Sequence, residues 1–437
     1  MKTLTTPSLP ATEIPAIEIP VPSLSRMQSL WRRLFLRSLE GLEWGRIVLS
    51  EPYLRETTVL GVRRDDDRVV NVEVLHPEFF KDVVLRGSVG AGEAFCAGIW
   101  QTDDLPGLIH IMLRNREVLD GMEKGPARFA AWLMRLVNGR TANSKTGSRR
   151  NISAHYDLGN DFFASFLDRS MTYSSAIFES PGDSLESAQR NKLERLCRKL
   201  DLSPSDHVIE IGSGWGSFAI HAARHHGCRV TTATISQRQF DEARRRVEQA
   251  GLGDRVEVVL KDYRDLCGQY DKLASIEMVE AVGDGFVETW FETCSRLLKP
   301  EGRMAIQAIT ITDQHYARAL REVDFIKRYI FPGSFIPSVT RLTSAATKAT
   351  DLRLVHLEDF GTHYAETLRR WRLNLKSQRA GLLAAGMTEE FYRMWIYYLD
   401  YCAGGFDARF LGVAQMVFRK PLAETQSVLG AIESLRR

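Results

Sequence analysis

Short apolar runs alternate with amphipathic segments between residue 151 and about residue 310. This rhythm is typical of buried strands that are joined by crossover helices. The predicted strands are 207–211, 229–234, 256–260, 273–277 and 302–308, with helices such as 237–250 and 287–298 between them. The alternation therefore predicts an α/β fold with a doubly wound, mainly parallel sheet.

The pattern changes on both sides of this sheet. Residues 311 to about 380 have mostly helical spacing, which predicts a helical lid, and 413–418 predict a closing strand. Ahead of the sheet, 47–49, 57–62 and 69–74 read as strands, 30–42 and 105–116 as helices, and 87–100 as a glycine-rich stretch. We therefore predict a small α+β domain over 26–125 and a catalytic domain over 151–425.

The length and composition narrow the classes of protein. A chain of 437 residues with 44% hydrophobic residues can build two full-sized domains. It has no apolar run long enough to span a membrane and no signal-peptide pattern at its start. Its six cysteines lack a C-x-x-C pair, which favours a reducing cytoplasm over a disulfide framework and predicts no metal site. The proline-rich residues 1–25 predict a disordered tail.

A basic stretch follows the small domain, over residues 126–150. Six basic residues lie between Arg128 and Arg150, with no acidic residue, and Phe129 and Trp132 lie on its amphipathic first half. An anionic membrane surface suits this combination. An ordinary packed helix beside a solvated linker explains it equally well. No nucleic-acid-binding module is recognisable.

A glycine-rich turn follows the first strand of the catalytic domain. Glu210, Gly212, Gly214 and Gly216 form an E-x-G-x-G-x-G pattern. Glycines at alternate positions allow a sharp turn and a close approach of a ligand to the backbone. The spacing differs from the G-x-G-x-x-G of dinucleotide-binding proteins. A tight turn without a ligand is the alternative.

Several further stretches occur in a fixed order along the chain. They are HYDLGNDFF at 155–163, MTYSSA at 171–176, TISQRQ at 234–239, SIEMVEAVG at 275–283, GTHY at 361–364, FYRMW at 391–395 and CAGGF at 402–406. From about residue 145 to 420 this set resembles the cyclopropane-fatty-acyl-phospholipid synthases and the mycolic acid cyclopropane synthases. The resemblance implies a seven-stranded class I methyltransferase fold that uses S-adenosylmethionine (SAM). It also implies that the N-terminal domain handles lipid.

The resemblance assigns a SAM site. It places the glycine loop at the methionine end of SAM and the end of the second strand at the ribose. The end of the third strand falls at the adenine, and MTYSSA is a segment that closes over SAM. The implied residues are Tyr173, Ser174, Glu210, Gly212, Gly214, Trp215, Gly216, Thr234, Ser236, Gln239, Asp262 and Tyr263. For Asp262 and Tyr263 the alternative is a solvated loop.

The resemblance also implies a chemistry, which is methyl transfer to a cis double bond of a lipid chain. The resulting carbocation loses a methyl proton, which needs a base in an apolar, shielded site. In the family a bound bicarbonate is thought to serve. By motif, Glu280 and Tyr364 match two of the residues that hold it. Ser175 stands where the family has cysteine, and Gln307 where it has histidine.

These two departures leave several functions open. We expect a cyclopropane fatty acid as the product, made on unsaturated phospholipid acyl chains. A methylene-branched or methyl-branched chain is the first alternative. A small-molecule amine N-methyltransferase and a non-catalytic protein that binds SAM or lipid are the others. The expected partner is an anionic phospholipid bilayer at the cytoplasmic face of the membrane, with the homodimer that the family tends to form.

Overall fold

The computed structural model describes residues 24–62, 68–116 and 159–423. The predicted tail, the basic stretch 126–150 and the start of the HYDLGNDFF motif lie largely or wholly outside these residues, and their predictions stand as predictions. Within the described residues, no helix combines the length and apolarity needed to cross a membrane.

The N-terminal domain is a small sheet covered by helices, as the sequence predicts. Its elements are α1 (Arg26–Ser38), β1 (Arg46–Glu51), β2 (Glu56–Leu60), β3 (Val69–Val74), α2 (Glu78–Cys96), β4 (Trp100–Thr102) and α3 (Leu105–Arg114). The strand order is β2-β1-β3-β4, and only the β1–β3 pair is parallel. Alternate residues of β1 and β3 are buried, because one face of this sheet packs on the helices.

Helix α2 is an element that the sequence did not predict. Its several glycines are atypical of a helix interior and hid the helical pattern of the sequence. Gly87 has φ +54° and kinks the helix. Gly92 packs directly on the Phe325 ring, where any Cβ would collide. Gly92 therefore serves close packing between the two domains, whereas Gly87 marks the kink.

The catalytic domain contains the predicted seven-stranded sheet. Its strands are β5 (His207–Ile211), β6 (Arg229–Thr234), β7 (Val256–Leu260), β8 (Tyr270–Ile276), β9 (Leu298–Ile311), β10 (Arg353–Asp359) and β11 (Leu411–Arg419). The order is β10-β11-β9-β8-β5-β6-β7. Strands β7, β6, β5, β8 and β9 are parallel, and β11 is antiparallel to both of its neighbours. The carboxyl ends of the five parallel strands therefore share one edge.

Helices cover both faces of this sheet. They are α4 (Asn160–Ala164), α5 (Leu185–Leu200), α6 (Ser217–His226), α7 (Gln237–Gln249), α8 (Val287–Leu297), α9 (Asp313–Ala319), α10 (Val339–Ala349), α11 (Gly361–Ser377), α12 (Arg379–Ala384) and α13 (Glu389–Asp407). A π-helical turn, Ile326–Ile330, follows α9.

One part of the predicted helical lid is a strand. Residues 311–380 contain α9, the π-helical turn, α10 and most of α11, but Arg353–Asp359 forms the edge strand β10. The strand pairs only with β11, and its Leu354, Val355 and Leu357 remain about 40% exposed. Its apolar residues therefore lack the buried alternation by which strands are recognised.

The two domains share one hydrophobic core. Helix α13 packs against α2 and α3 of the N-terminal domain. Arg393 on α13 donates from Nε to the carbonyl of Phe95 at 2.7 Å, and the rings of Tyr397 and Phe95 lie 5.4 Å apart. Gly404 allows α13 to approach Pro106 and Ile109 closely. This packing holds the N-terminal domain over the carboxyl edge of the large sheet.

Candidate active site

A single cavity of about 1030 Å³ joins the two domains. One end lies at the carboxyl edge of the sheet, against Gly212, Gly214 and Asp262. The opposite end is apolar and lies inside the N-terminal domain. Its walls come from α1, the small sheet and α2, and include Phe35, Leu49, Leu60, Val72, Phe79 and Val83. Glu277, Glu280 and Tyr364 also line this cavity.

The glycine loop has the geometry that a close ligand needs. Gly212, Gly214 and Gly216 all have positive φ, at +97°, +49° and +86°. A Cβ on Gly212 would lie 3.0 Å from Met278, whereas a Cβ on Gly214 would enter open space. Gly212 and Gly214 line the cavity. Gly216 directly precedes α6 and packs on Ala243 of α7. The predicted methionine end of the SAM site therefore fits at Gly212 and Gly214.

The predicted ribose contacts form a hydrogen-bonded turn after β6. The Thr234 hydroxyl donates to Oε1 of Gln239 at 2.9 Å and accepts from the backbone N–H of Ser236 at 3.1 Å. Thr234 and Gln239 line the cavity. The Ser236 hydroxyl instead caps α7 by accepting from the backbone N–H of Gln239. Ser236 thus shapes the turn and does not line the cavity.

The predicted adenine contacts, Asp262 and Tyr263, line the same end of the cavity. Both are buried, so the alternative of a solvated loop does not hold. Arg264 donates to the two carboxylate oxygens of Asp262 from Nε and Nη2, each at 2.7 Å. This ion pair fixes the Asp262 side chain.

The remaining predicted cofactor residues also line the cavity. The Tyr173 hydroxyl lies 3.0 Å from that of Tyr398, and Ser174 accepts from Nζ of the buried Lys192 at 2.7 Å. The indole N–H of Trp215 donates to Asn160 at 2.9 Å.

Glu210 and Lys192 are a pair of buried ionisable groups at this end of the cavity. Burial raises the pKa of Glu210 to about 8 and lowers the pKa of Lys192 to about 8. Oε2 of Glu210 accepts from the Thr232 hydroxyl at 2.6 Å. Lys192 was not identified from the sequence, because a lysine on an amphipathic helix ordinarily faces solvent.

Glu280 lies in the cavity as predicted. Its Oε1 accepts from the backbone N–H of Ile309 at 2.5 Å. Its Oε2 is buried, and within the described residues it has no hydrogen-bond partner. Burial, together with the nearby charge of Glu277, raises the pKa of Glu280 to about 8. One oxygen is therefore held and the other remains for a ligand.

Glu277 is a residue of the site that the sequence analysis missed. It follows β8, and Oε1 of its carboxylate accepts from the backbone N–H of Ser175 at 2.9 Å and from Nε2 of Gln307 at 2.7 Å. Tyr364 lies near this carboxylate, and burial together with the Glu277 charge raises the pKa of Tyr364 well above its ordinary value. An acidic residue directly after a central strand was the available signal, but the motif assigned that role to Glu280 alone.

The structure places Ser175 and Gln307 beside Glu277, behind the wall of the cavity. Neither lines the cavity. The Ser175 hydroxyl donates to the carbonyl of Ala176 at 3.1 Å, so that Ser175 contacts the site through its backbone N–H and carbonyl. Gln307 contacts Glu277 through its side-chain amide. Both residues position Glu277, and their side chains do not face the cavity.

A second cluster lies on α5 and α6, apart from this cavity. The ligand atoms of Cys197, His221 and His226 lie within 4.8 Å of one another. Both histidines contact Oε2 of Glu194, at 3.2 and 3.0 Å. Burial raises the pKa of Cys197 well above its ordinary value, which favours the thiol over a metal-binding thiolate. Hydrogen bonds account for this cluster.

Comparisons with known proteins agree with this geometry. Residues 143–416 match the model of the mycolic acid cyclopropane synthetase family. The chain is 38% identical to a tuberculostearic acid methyltransferase of Mycobacterium tuberculosis, over 80% of this chain and 83% of that protein. It is 35% identical to the cyclopropane-fatty-acyl-phospholipid synthase of Escherichia coli, over 82% of this chain and 90% of that protein.

A solved structure shows the same fold. The mycolic acid cyclopropane synthase CmaA1, complexed with S-adenosylhomocysteine (SAH) and CTAB, superposes with a TM-score of 0.58. The two sequences are 29% identical, and the match covers 62% of this chain and 98% of that one. By sequence, fold and cavity, the chain belongs to the mycolic acid cyclopropane synthetase family of SAM-dependent methyltransferases.

Proposed function

We propose that this enzyme transfers a methyl(ene) group from SAM to the cis double bond of an unsaturated phospholipid acyl chain, and that the product carries a cyclopropane ring. The observation that carries the proposal is the shared cavity. It joins the glycine loop to an apolar chamber in the N-terminal domain, with the carboxylates of Glu277 and Glu280 in its wall. A small amine would have no use for that chamber.

The names of the relatives support a lipid substrate. The two relatives described above are a tuberculostearic acid methyltransferase and a fatty-acyl-phospholipid synthase, and each matches four fifths or more of this chain. The apolar wall supplies affinity for an acyl chain, because each methylene group of the chain that leaves water contributes roughly 0.8 kcal/mol to binding. We propose on this basis that the N-terminal domain holds one end of the acyl chain.

The residues around the cavity suit a cationic reaction. An alkene is a weak nucleophile, so it must be held in line with the methyl group of the sulfonium and away from water. The cavity is lined by aromatic residues, whose ring faces attract positive charge; they include Tyr173, Phe331, Tyr364 and Tyr398. The charge of the buried carboxylates stabilises the carbocation that forms beside the new methyl group.

A methylene-branched or methyl-branched chain is the second candidate. Ser175 and Gln307 replace the cysteine and histidine that the resemblance expects, and Glu277 contacts both replacements. If a hydride moves to the cationic carbon before the methyl proton is lost, an exocyclic methylene forms in place of the ring. The 38% identity to a tuberculostearic acid methyltransferase favours this route.

We propose further that the enzyme takes its substrate from an anionic bilayer at the cytoplasmic face of the membrane, and that it acts as a homodimer. The support is the basic composition of residues 126–150 and the family resemblance. Co-sedimentation with vesicles of anionic and of neutral phospholipid tests the first part. Sedimentation velocity tests the second. Equal binding to both vesicles, or a monomer, would contradict the respective part.

The product experiment compares host cells that make the enzyme with cells that make Glu280→Ala. Fatty acids are analysed by mass spectrometry and proton NMR. We expect a mass gain of one CH₂ unit and high-field cyclopropane signals, both absent with the variant. Vinylidene or methyl-branch signals would establish the second candidate. Unchanged lipids, with SAM still bound by the purified enzyme, would overturn both and favour an amine substrate or a binding role.

A further inference from the structure

Two of the residues that the resemblance places at the bicarbonate site already hold a carboxylate of the chain itself. The backbone N–H of Ser175 and the side-chain amide of Gln307 both donate to Glu277. A bicarbonate ion held in the expected way would have to compete with Glu277 for each of these donors. The residues present therefore do not fit the ion.

The backbone of Glu277 is strained in a way that supports this placement. Its φ is +48°, and its N–H donates to the carbonyl of Gln307 at 2.7 Å. A left-handed backbone on a residue with a Cβ costs roughly 1–2 kcal/mol. Such strain persists at functional sites where the surrounding contacts determine one conformation. Here the contacts hold the carboxylate in the wall of the cavity.

A buried chain of side chains orients the Gln307 amide toward an anion. Nζ of Lys199 donates to Oε1 of Gln415 at 2.7 Å, and Nε2 of Gln415 donates to Oε1 of Gln307 at 3.1 Å. An ammonium can only donate, so Lys199 fixes which end of Gln415 faces Gln307. Gln415 in turn leaves the N–H₂ end of Gln307 facing Glu277. The sheet interior is therefore arranged to bind a negative acceptor at this point.

Three neighbours of Glu277 cannot readily accept a proton. Gln307 does not titrate, the Ser175 hydroxyl faces Ala176, and burial raises the pKa of Tyr364 well above its ordinary value. Burial also raises the pKa of Glu277, although Gln307, Lys192, Ser175 and Tyr364 oppose the shift. A raised pKa makes a carboxylate a stronger base.

We propose that Glu277 is the catalytic base and takes the place of bicarbonate; this inference rests on the proposed function. The alkene's π electrons form a bond to the methyl carbon as its bond to sulfur breaks, which leaves SAH and a carbocation. A proton then passes from the new methyl group to the Glu277 carboxylate. The electron pair of that C–H bond closes the ring, or forms the methylene double bond after a hydride shift. The proton leaves Glu277 for water after product release.

The test uses the full-length enzyme, SAM and vesicles of unsaturated phospholipid, in buffer freed of carbon dioxide and in the same buffer with added bicarbonate. SAH and lipid product are both measured. Glu277→Gly opens the anion position and suits the positive φ, while Glu277→Gln fills the position without a base. Glu248→Gln, on the exposed face of α7, is the control for the loss of a glutamate. SAM binding by calorimetry shows that each variant is folded.

We expect the unaltered enzyme to be equally active in both buffers. Without bicarbonate, both Glu277 variants should lose activity by ~100-fold or more, the lower end of what a general base contributes. Added bicarbonate should restore at least part of the activity of Glu277→Gly and none of that of Glu277→Gln. Bicarbonate dependence of the unaltered enzyme, or activity of Glu277→Gly without bicarbonate, would overturn the inference alone. No lipid product from the unaltered enzyme would overturn the proposed function and the inference together.

Discussion

The side-chain amide of Gln307 donates to the carboxylate of Glu277 at 2.7 Å, from the strand next to the one that Glu277 follows. The contact depends on sheet register, because Gln307 on β9 pairs with Ile276, the last residue of β8. On the side away from Glu277, the Gln307 amide oxygen accepts from the side-chain amide of Gln415 on β11. One buried row of polar side chains therefore crosses three strands and ends at the cavity.

Replacing Gln415 should weaken the site without touching the cavity. Gln415→Met keeps the side chain's length but removes the donor that orients Gln307, so the amide can turn its oxygen toward Glu277. We expect kcat to fall about tenfold, the cost of roughly one charged hydrogen bond, with the KM for SAM unchanged. Steady-state kinetics measures both. Gln249→Met, on the exposed end of α7, is the control, and an unchanged kcat would show that Gln415 has no positioning role.

Replacing Ser175 with alanine should have little effect. The contact with Glu277 comes from the backbone N–H, and the hydroxyl donates only to the neighbouring carbonyl of Ala176. We expect kcat and the fatty-acid product of Ser175→Ala and of Ser175→Cys to match the unaltered enzyme within a factor of about two, since neither change removes the N–H that binds the charge. A large loss in the alanine variant would mean that the hydroxyl itself takes part in the reaction.

The raised pKa of Glu280 predicts how stability depends on pH. Burial and the charge of Glu277 raise this pKa to about 8, against about 4.3 in the unfolded chain. The folded protein therefore binds the proton more tightly, and the stability that the protonated carboxyl provides is lost as the pH rises toward 8. Glu280→Gln imitates the protonated form without titrating. Its melting temperature relative to the unaltered enzyme should rise from pH 4.3 to pH 8, and a difference that stays constant with pH would contradict the shift.

Gly212 should be essential for binding SAM. Its φ of +97° disfavours any residue with a side chain. A Cβ on Gly212 would also lie only 3.0 Å from the side chain of Met278, the residue that follows Glu277. We expect Gly212→Ala to weaken SAM binding at least about tenfold, because the backbone strain and the steric overlap fall where the ligand approaches. Isothermal titration calorimetry measures the Kd. Gly251→Ala is a matched control, since Gly251 also has a positive φ of +67° but no atom near its Cβ position; an equal loss there would point to general destabilisation.

Filling the apolar chamber should shorten the acyl chains that the enzyme accepts. Ala91 on α2 lines the cavity, and a phenylalanine there would occupy space that an acyl chain would otherwise use. We expect Ala91→Phe to shift product formation toward shorter chains with SAM binding unchanged, since shape complementarity sets which chains fit. Gas chromatography of products from vesicles with mixed chain lengths measures the shift. Val59→Phe, on the exposed side of the small sheet, should leave the product profile unchanged.

Much of the fold follows from local patterns in the sequence. The strands at 207–211, 229–234 and 256–260 are found with the predicted bounds, because each is a short run rich in β-branched residues. The glycine loop was identifiable for a related reason: three positive φ angles within five residues require glycine. Glu280 and Tyr364 were found through motifs. Helix α2 was not predicted because its glycines are atypical of a helix. Strand β10 was not predicted because its apolar residues are exposed and lack a buried alternation.

The composition of the catalytic cluster was decided only by tertiary structure. Glu277, Gln307 and Ser175 come from separate segments, and nothing local indicates that a carboxylate, a side-chain amide and a backbone N–H will meet. Sheet register brings Gln307 beside the end of β8, and the left-handed φ of Glu277 orients its carboxylate toward them. The same holds for the cavity that the two domains share, because its walls are faces of elements that are distant in sequence. The sequence by itself determined most of the elements, the SAM loop and the family, since those depend on neighbouring residues. Only packing decided which side chains share the reaction site.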